Sequence, residues 1–313
     1  MSLVGLKNGL RIGVLRGGNS TGYTDSLETG NFVIQNLSET HKPIDIFISS
    51  DGTWHMQGVP KTPENIFKHL DVVYNGLHGT YGEDGGVQEI LNHHGVRYTG
   101  SDRYPSGIVM NRWLMKEHLK PLGIKTPVAI LVRQNDSINK KAKEIWNSIP
   151  TPLVIKPAKG GYSFGYYKAD FYQELLVALE EILSKNDSAI VEEHITGTRA
   201  SSGVIEGFRG LDYYTLAPVE LDKNDNPAYP TRFTDEEKIE IQNIAKKIHK
   251  GLGLRHYSVA DFIVTPRRGI YVLEVNTQPK LGNKSVIRRS LEAVGVSIKD
   301  FIHHTINLAL NRK

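Results

Sequence analysis

No cysteine occurs anywhere in the 313 residues. Disulfide bonds and thiolate metal sites are therefore excluded, and the composition suits a reducing compartment. Long apolar runs are also missing. No stretch approaches the roughly 18 consecutive apolar residues of a membrane span, and the N-terminal MSLVGLKNGLRIGVLRGG, apolar only in short pieces, has no secretory-signal core. A soluble, cytoplasmic protein with no membrane partner is expected. Blocks of like charge are absent too. The 38 Lys and Arg residues are spread among 34 Asp and Glu, leaving a net charge of +4. This describes a solvated surface rather than a nucleic-acid footprint, and its small positive excess suits an anionic ligand such as a nucleotide. No internal repeat, low-complexity segment or long linker interrupts the chain.

What is present reads as α/β. With 39% hydrophobic and 23% charged residues, there is material for one large core or two or three smaller ones. LRIGVLRGG, PIDIFIS and LDVVYNG are strand-like, with helical stretches between and after them, the first from about 26 to 37. That alternation argues for a parallel sheet. A second unit opens with one helix, PSGIVMNRWLMKEHLKPLG, stopping at Gly123. Strands PVAILV, LVIKPA and AIVEEH then alternate with two helices. A third unit holds strands around 203–208 and 212–219, and a helix announced by TDEE with Thr234 as its N-cap. A strand pair at 256–265 and 270–276 and two closing helices complete it. The expected boundaries are 1–103, 104–196 and 197–313.

The strand pair carries the first chemical signal. HYSVADFIVTPRRGIYVLEVNTQP alternates on both sides of Pro266-Arg267-Arg268-Gly269, a tight turn. If Arg267 and Arg268 form a two-residue loop, Asp261 faces Glu274, and Asn276 lies on the same face two residues on. Two carboxylates directly opposite each other are destabilising. The residues alone leave two readings: a surface hairpin whose acids face water, or a hard divalent ion, Mg²⁺ shared with a phosphate, held by two carboxylates and an amide. A register slip of one residue would undo the second. PLVIKPAKGGYSFG (152–165) places Lys156 near a strand end before a glycine loop. The loop is either a phosphate cover or a plain turn, and it is not a P-loop. NGLHGTYGEDGGVQEI (75–90), a glycine-rich loop opening a helix, either holds a small ligand at a strand edge or is simply a loop.

Taken together and in order, RGGNS…SLETG, HGTYGEDGGVQ, YTGSD, IKPAKGGYSFG, VEEHITG, ADF, EVNTQP and NKS resemble the D-alanine–D-alanine ligase family of the ATP-grasp superfamily. The resemblance spans nearly the whole chain. It implies an ATP-grasp fold, a three-domain α+β arrangement with an N-terminal parallel-sheet domain. It also implies an ADP-forming enzyme that uses ATP and Mg²⁺ to join small amino-acid substrates through an acyl phosphate, giving D-alanyl-D-alanine for peptidoglycan. By the same resemblance Asp261, Glu274 and Asn276 are the Mg²⁺ ligands. Arg112, Lys156, Gly161, Glu192, Glu193, Ile195 and Arg199 fall at ATP-binding positions, with Lys116 one turn beyond Arg112 on the same helix face. His78 and Ser163 match catalytic positions. Glu83, Asp84, Tyr162 and Ser285 match the amino-acid end, although Ser285 reads equally well as a helix N-cap. A homodimer through the N-terminal domain is implied as well.

Departures from the family pattern cluster at the chemistry. Val259 stands where an arginine precedes the metal aspartate, and Lys280 where a glycine follows the proline of EVNTQP. Gly22 replaces an acid that receives the substrate ammonium, and Tyr162 replaces a serine. Arg112 replaces a lysine, keeping charge but changing geometry. Arg199 replaces an acid, and the loop that covers the site shrinks to LDKNDNPAYP. Lys280, Lys284, Arg288 and Arg255 are the candidate replacement cations. Lys280 and Lys284, lying beside the gap in sequence, are taken as catalytic. Two alternatives accompany this reading: a ligase for another amino acid, hydroxy acid or peptide, and a nucleotide-binding protein that has lost turnover.

Overall fold

The computed structural model describes residues 6, 9–38, 41–160, 165–282 and 285–312. The first sheet contains β1 (Ile12–Gly17), β2 (Ile44–Ile48), β3 (Trp54–Met56), β4 (Val59–Pro60) and β5 (Val72–Asn75), with helices α1 (Tyr23–Ser38), α2 (Pro63–Phe67) and α3 (Gly86–His93). Its order is β4-β3-β2-β1-β5. β1 is parallel to both β2 and β5, as the strand–helix alternation requires, but β3 and β4 add an antiparallel hairpin at the edge. That hairpin was not expected, because WHMQGVP is too short to show a period.

β1 is buried on both faces, and its residues divide between two cores. Ile12 and Val14 enter one with Val33, Tyr74 and Phe301, while Leu15 enters the other with Ile48, Phe67 and Val87. This is why β1 is a continuous apolar run rather than an alternating one.

The second sheet follows α4 (Arg103–Met110) and α5 (Arg112–Leu119). It comprises β6 (Ala129–Arg133), β7 (Leu153–Pro157), β8 (Tyr167–Ala169) and β9 (Ser188–Glu193), in the antiparallel order β6-β9-β7-β8, backed by α6 (Ile138–Ser148) and α7 (Tyr172–Leu183). The third sheet holds β10 (Thr198–Phe208), β11 (Leu211–Thr215), β12 (Val219–Leu221), β13 (Pro227–Ala228), β14 (Tyr257–Thr265) and β15 (Gly269–Asn276). Its order is β13-β12-β10-β14-β15, with β11 on β10. α8 (Asp235–Gly251) covers one face, and its first turn carries the expected cap. The Thr234 hydroxyl accepts from the Glu237 amide (3.2 Å), and the Glu237 carboxylate accepts from the Thr234 amide (2.8 Å). The last two helices, α9 (Val286–Ala293) and α10 (Ile298–Leu310), return to the first sheet. Phe301, Ile302 and Ile306 share a core with Ile12, Val14, Val72 and Tyr74.

Two local departures from expectation shape the site. The single helix expected across 105–123 is broken at Asn111, whose backbone leaves the helical region (φ −103°, ψ 105°). Its side chain caps α5, accepting from the amides of Trp113 and Leu114 at 3.1 Å each. The Arg112 amide donates to the Ala158 carbonyl at 2.8 Å. The break therefore fixes the start of α5, and with it Arg112, against the end of β7. The second departure is in the β14–β15 turn. Thr265 pairs with Gly269, so the loop has three residues, Pro266, Arg267 and Arg268, and Gly269 takes a positive φ of 78°. A bulge between Asp261 and Phe262 then leaves Leu273 unopposed, and the longer loop and the bulge cancel. Asp261 pairs with Glu274 as expected, by a different route.

Candidate active site

Between the second and third sheets lies a cleft of about 650 Å³, within the usual size of a small-molecule site. Each wall comes from a strand already described. β7 contributes Lys156, the end of β9 contributes Glu192, Glu193 and the following Ile195, β10 contributes Arg199, and β14 and β15 contribute Asp261 and Glu274. Alternation does the placing, since every second residue of a strand faces the same side. Asn276 lies two residues beyond Glu274, and a smaller cavity of about 70 Å³ is lined by Asp261, Glu274, Asn276 and Glu83.

The carboxylate pair is electrostatically frustrated. Burial pushes the Asp261 carboxyl up to about 6. The hydrogen bond from the Ser201 hydroxyl opposes the shift, and Glu274 opposite adds to it. Glu274 is also raised, first by its desolvated surroundings, against the pull of Arg112 and Lys156. About 40% of its side chain is accessible, and it lines the cleft. Arg112 Nη2 stands 3.4 Å from Glu274 Oε1, and its Nη1 donates to the Pro157 carbonyl at 3.1 Å. Two carboxylates and an amide oxygen with unmet negative charge fit a hard divalent cation. Among the described residues no group of three His, Asp or Glu side chains offers an alternative metal site. The Asn276 amide oxygen accepts from the Gln278 amide at 2.7 Å, which fixes its orientation.

Glu192 is buried and held by two lysines: Lys156 at 2.6 Å and Lys116 at 2.7 Å. Burial alone would raise its carboxyl, but the two ammonium groups outweigh that and hold it below its ordinary value. Lys116 is lowered by its own burial, only partly offset by Glu192, and also donates to the Pro127 carbonyl at 3.0 Å. Glu193 is paired differently. It accepts from Arg268 at 2.8 Å and from the Val128 amide at 3.0 Å, and the Arg268 guanidinium lies over the Tyr271 ring. Ile195 packs with Ile263 and Tyr271, giving this end of the cleft an apolar floor.

Across the smaller cavity stands the 75–90 loop. Gly79, at φ 78°, donates its amide to Glu83 Oε2 at 2.7 Å. His78 is buried with its Nε2 2.8 Å from the Thr29 hydroxyl and its Nδ1 3.4 Å from Glu83 Oε1. Asp84 accepts from the Gly86 amide at 2.9 Å, a local turn at the start of α3.

The other candidate site residues have partners of their own. Lys280 places its Nζ 2.9 Å from Asp25 on α1. Ser285 is the N-cap of α9, its hydroxyl accepting from the Arg288 amide at 3.4 Å. Arg288 runs along α9 to Glu292 and over the Phe32 ring. Arg255 binds Asp102 at 3.1 Å, and Val259 is buried in the first core. Gly161, Tyr162, Ser163 and Lys284 lie outside the described residues. Ser201, Tyr166, Arg268 and Asp225 enter the site without having been anticipated. Ser201 was open to inference from the alternation of TRASSGV beside ADF. Tyr166 follows the glycine loop and leans into the cleft beside Glu192 and Arg199, whose charges act on its hydroxyl after burial has raised it.

Solved structures share this fold over nearly the whole chain. A D-alanine–D-alanine ligase from Bacillus anthracis complexed with ATP superposes with a TM-score of 0.80 and 26% identity, covering 96% of this chain and 97% of that one. The VanG D-Ala:D-Ser ligase of Enterococcus faecalis gives 0.86 and 26%, covering 97% and 100%. Two antiparallel sheets closing on a cation-lined cleft, set beside a parallel-centred sheet, make this an enzyme of the ATP-grasp class of ligases. The models for the N-terminus and C-terminus of D-ala D-ala ligase match residues 55–101 and 118–307. A D-alanine–D-alanine ligase of Flavobacterium johnsoniae is 30% identical, covering 96% of this chain and 99% of that one. The chain belongs to the D-alanine–D-alanine ligase family.

Proposed function

We propose that the protein joins two molecules of D-alanine at the expense of ATP. The observation that carries this reading is the convergence of Asp261, Glu274 and Asn276 at the end of the cleft nearest Glu83, with Arg112 and Lys156 beside them. In this reading Asp261, Glu274 and Asn276 would hold Mg²⁺, which when bound neutralises phosphate oxygens and removes the repulsion between the two carboxylates. Arg112 and Lys156, now turned toward Glu274 and Glu192, supply positive charge to the triphosphate, and the 192–195 segment receives the base. The first amino acid lies beside Glu83 and His78. Its carboxylate oxygen attacks the γ-phosphorus and ADP leaves. The amine of the second substrate then attacks the acyl carbon, and inorganic phosphate leaves. Positioning and charge stabilisation are the protein's main contribution to phosphoryl transfer.

A second reading keeps the reaction and changes the acceptor. Gly22 offers no acid for a substrate ammonium, and Asp25 one turn later is engaged by Lys280. One experiment separates them: ADP and dipeptide are measured with ATP, Mg²⁺ and a panel of D- and L-amino acids and D-hydroxy acids. Dipeptide from D-alanine alone supports the first reading. Turnover only with another acceptor supports the second, and ATP binding without ADP under any condition defeats both.

A further inference from the structure

One buried side chain joins the two walls of the smaller cavity. Gln278 lies two residues beyond Asn276, just past the end of β15. Its backbone amide is the donor that orients Asn276. Its side-chain amide donates to the carbonyl of Asn75, the last residue of β5. Its Oε1 accepts from the hydroxyl of Tyr257, the first residue of β14, at 3.2 Å. A carbonyl can only accept, so the NH₂ group must face Asn75 and the oxygen Tyr257. All three residues are buried. Asn75 extends the link. Its side chain donates to the Gly82 carbonyl and accepts from the Leu77 amide, both at 3.1 Å, and Gln88 donates to the same Gly82 carbonyl at 2.9 Å. Gly82 precedes Glu83, which lines the cavity together with Asp261, Glu274 and Asn276.

Hydrogen bonds therefore run from Asn276 through Gln278 and Asn75 to the loop that carries His78 and Glu83. They join the third sheet to the first across 203 residues of sequence. Tyr257 belongs to an otherwise apolar core with Leu281, Val14 and Phe301. A polar link beside such a core adds little net stability, but it fixes distance and direction as apolar packing does not. We infer that Gln278 is a positioning residue, whose side chain sets the separation between the metal end of the site and the 75–90 loop. A substrate carboxylate held beside the loop then meets a phosphate held at the metal end at the spacing in-line transfer needs. This role rests on the reaction proposed above.

The test compares Gln278→Met, Tyr257→Phe and Ile306→Val in the full chain. Gln278→Met keeps the length of the side chain and loses both of its hydrogen bonds. Tyr257→Phe releases one end of the amide at nearly constant volume. Ile306→Val loosens the same core without touching the link. With ATP, Mg²⁺ and D-alanine, kcat should be about ten- to a hundredfold lower in Gln278→Met, with KM for ATP within about twofold of the unmodified protein. Tyr257→Phe should show the same pattern at smaller size, and Ile306→Val should keep kcat within about twofold. Amide hydrogen exchange, read without nucleotide or metal, should be about tenfold faster over residues 77–83 in Gln278→Met and unchanged over β7 and β9. Unaltered exchange over 77–83 overturns the inference. So does a rise in KM for ATP that matches the fall in kcat, or an equal loss of kcat in Ile306→Val. If the unmodified protein forms no ADP from ATP and D-alanine, the proposed reaction fails, and hydrogen exchange alone then decides whether Gln278 holds the loop.

Discussion

Lys280 Nζ lies 2.9 Å from Asp25 Oδ2, linking the segment after β15 to the first turn of α1. One turn of helix separates Asp25 from Gly22, and Ser26 and Thr29 beyond it bind the backbone and ring of His78. The pair thus sits where the amino-acid end of the site meets α1. With Lys280 half exposed, its loss should change stability by less than about 1 kcal/mol. Asp25→Asn should nevertheless raise KM for the amino acid several-fold while leaving KM for ATP unchanged. Equal changes in both, or none, would place the pair outside substrate recognition.

Asp261 makes stability depend on pH in a sense opposite to that of most paired carboxylates. Its carboxyl titrates at about 6 in the fold against about 3.9 in an unfolded chain. The folded state binds that proton more tightly, so the residue opposes folding as pH rises through this window, with the full cost above about pH 6. Asp261→Asn should stabilise the metal-free protein at about pH 7.5 by on the order of 1–3 kcal/mol, and hardly at all at about pH 4. Thermal unfolding at the two pH values in chelator checks this. The same variant should lose the additional stabilisation that Mg²⁺ gives in the presence of ATP.

Glu192 should behave in the opposite way. Its carboxyl is held low by two lysines, so its stabilising contribution is present above its ordinary pKa and is lost as acid protonates it. Glu192→Gln strands Lys116 and Lys156 without their counter-charge. Removing one partner of a buried pair costs about 3–5 kcal/mol, and urea denaturation should show a loss of that order. Lys116→Met in the same background should recover part of it.

Asn111→Ala removes the cap of α5 and should cost about 1 kcal/mol. Because Arg112 is the next residue, KM for ATP should rise as well. Asn111→Asp retains an accepting oxygen and should preserve both. If stability falls without a change in KM, the helix break has no part in placing Arg112.

Much of this site was legible because strand alternation is local. LEVN places Glu274 and Asn276 on one face of their strand whatever surrounds them. The pairing with Asp261 was harder to read, since a three-residue loop and a bulge at Leu273 offset each other and neither leaves a mark in the sequence. The break at Asn111 was hidden because the apolar spacing of Ile108, Met115 and Leu119 continues a helical pattern across it. The contact of Arg112 with Ala158, which holds the break, joins residues distant in sequence. The ion pair of Lys280 was not readable for a related reason: Asp25 lies some 255 residues earlier in the sequence.

The return of α10 to the first sheet has a consequence for how the molecule is made. Ile12, Val14, Val72 and Tyr74 share a core with Phe301, Ile302 and Ile306, which follow them by about 230 to 290 residues. Until then only α1, through Val33 and Leu37, packs on that face of the sheet, and α10 is what closes the rest. A truncated chain ending near residue 285 should therefore bind chaperones or aggregate, even though the nucleotide cleft is already complete in its sequence.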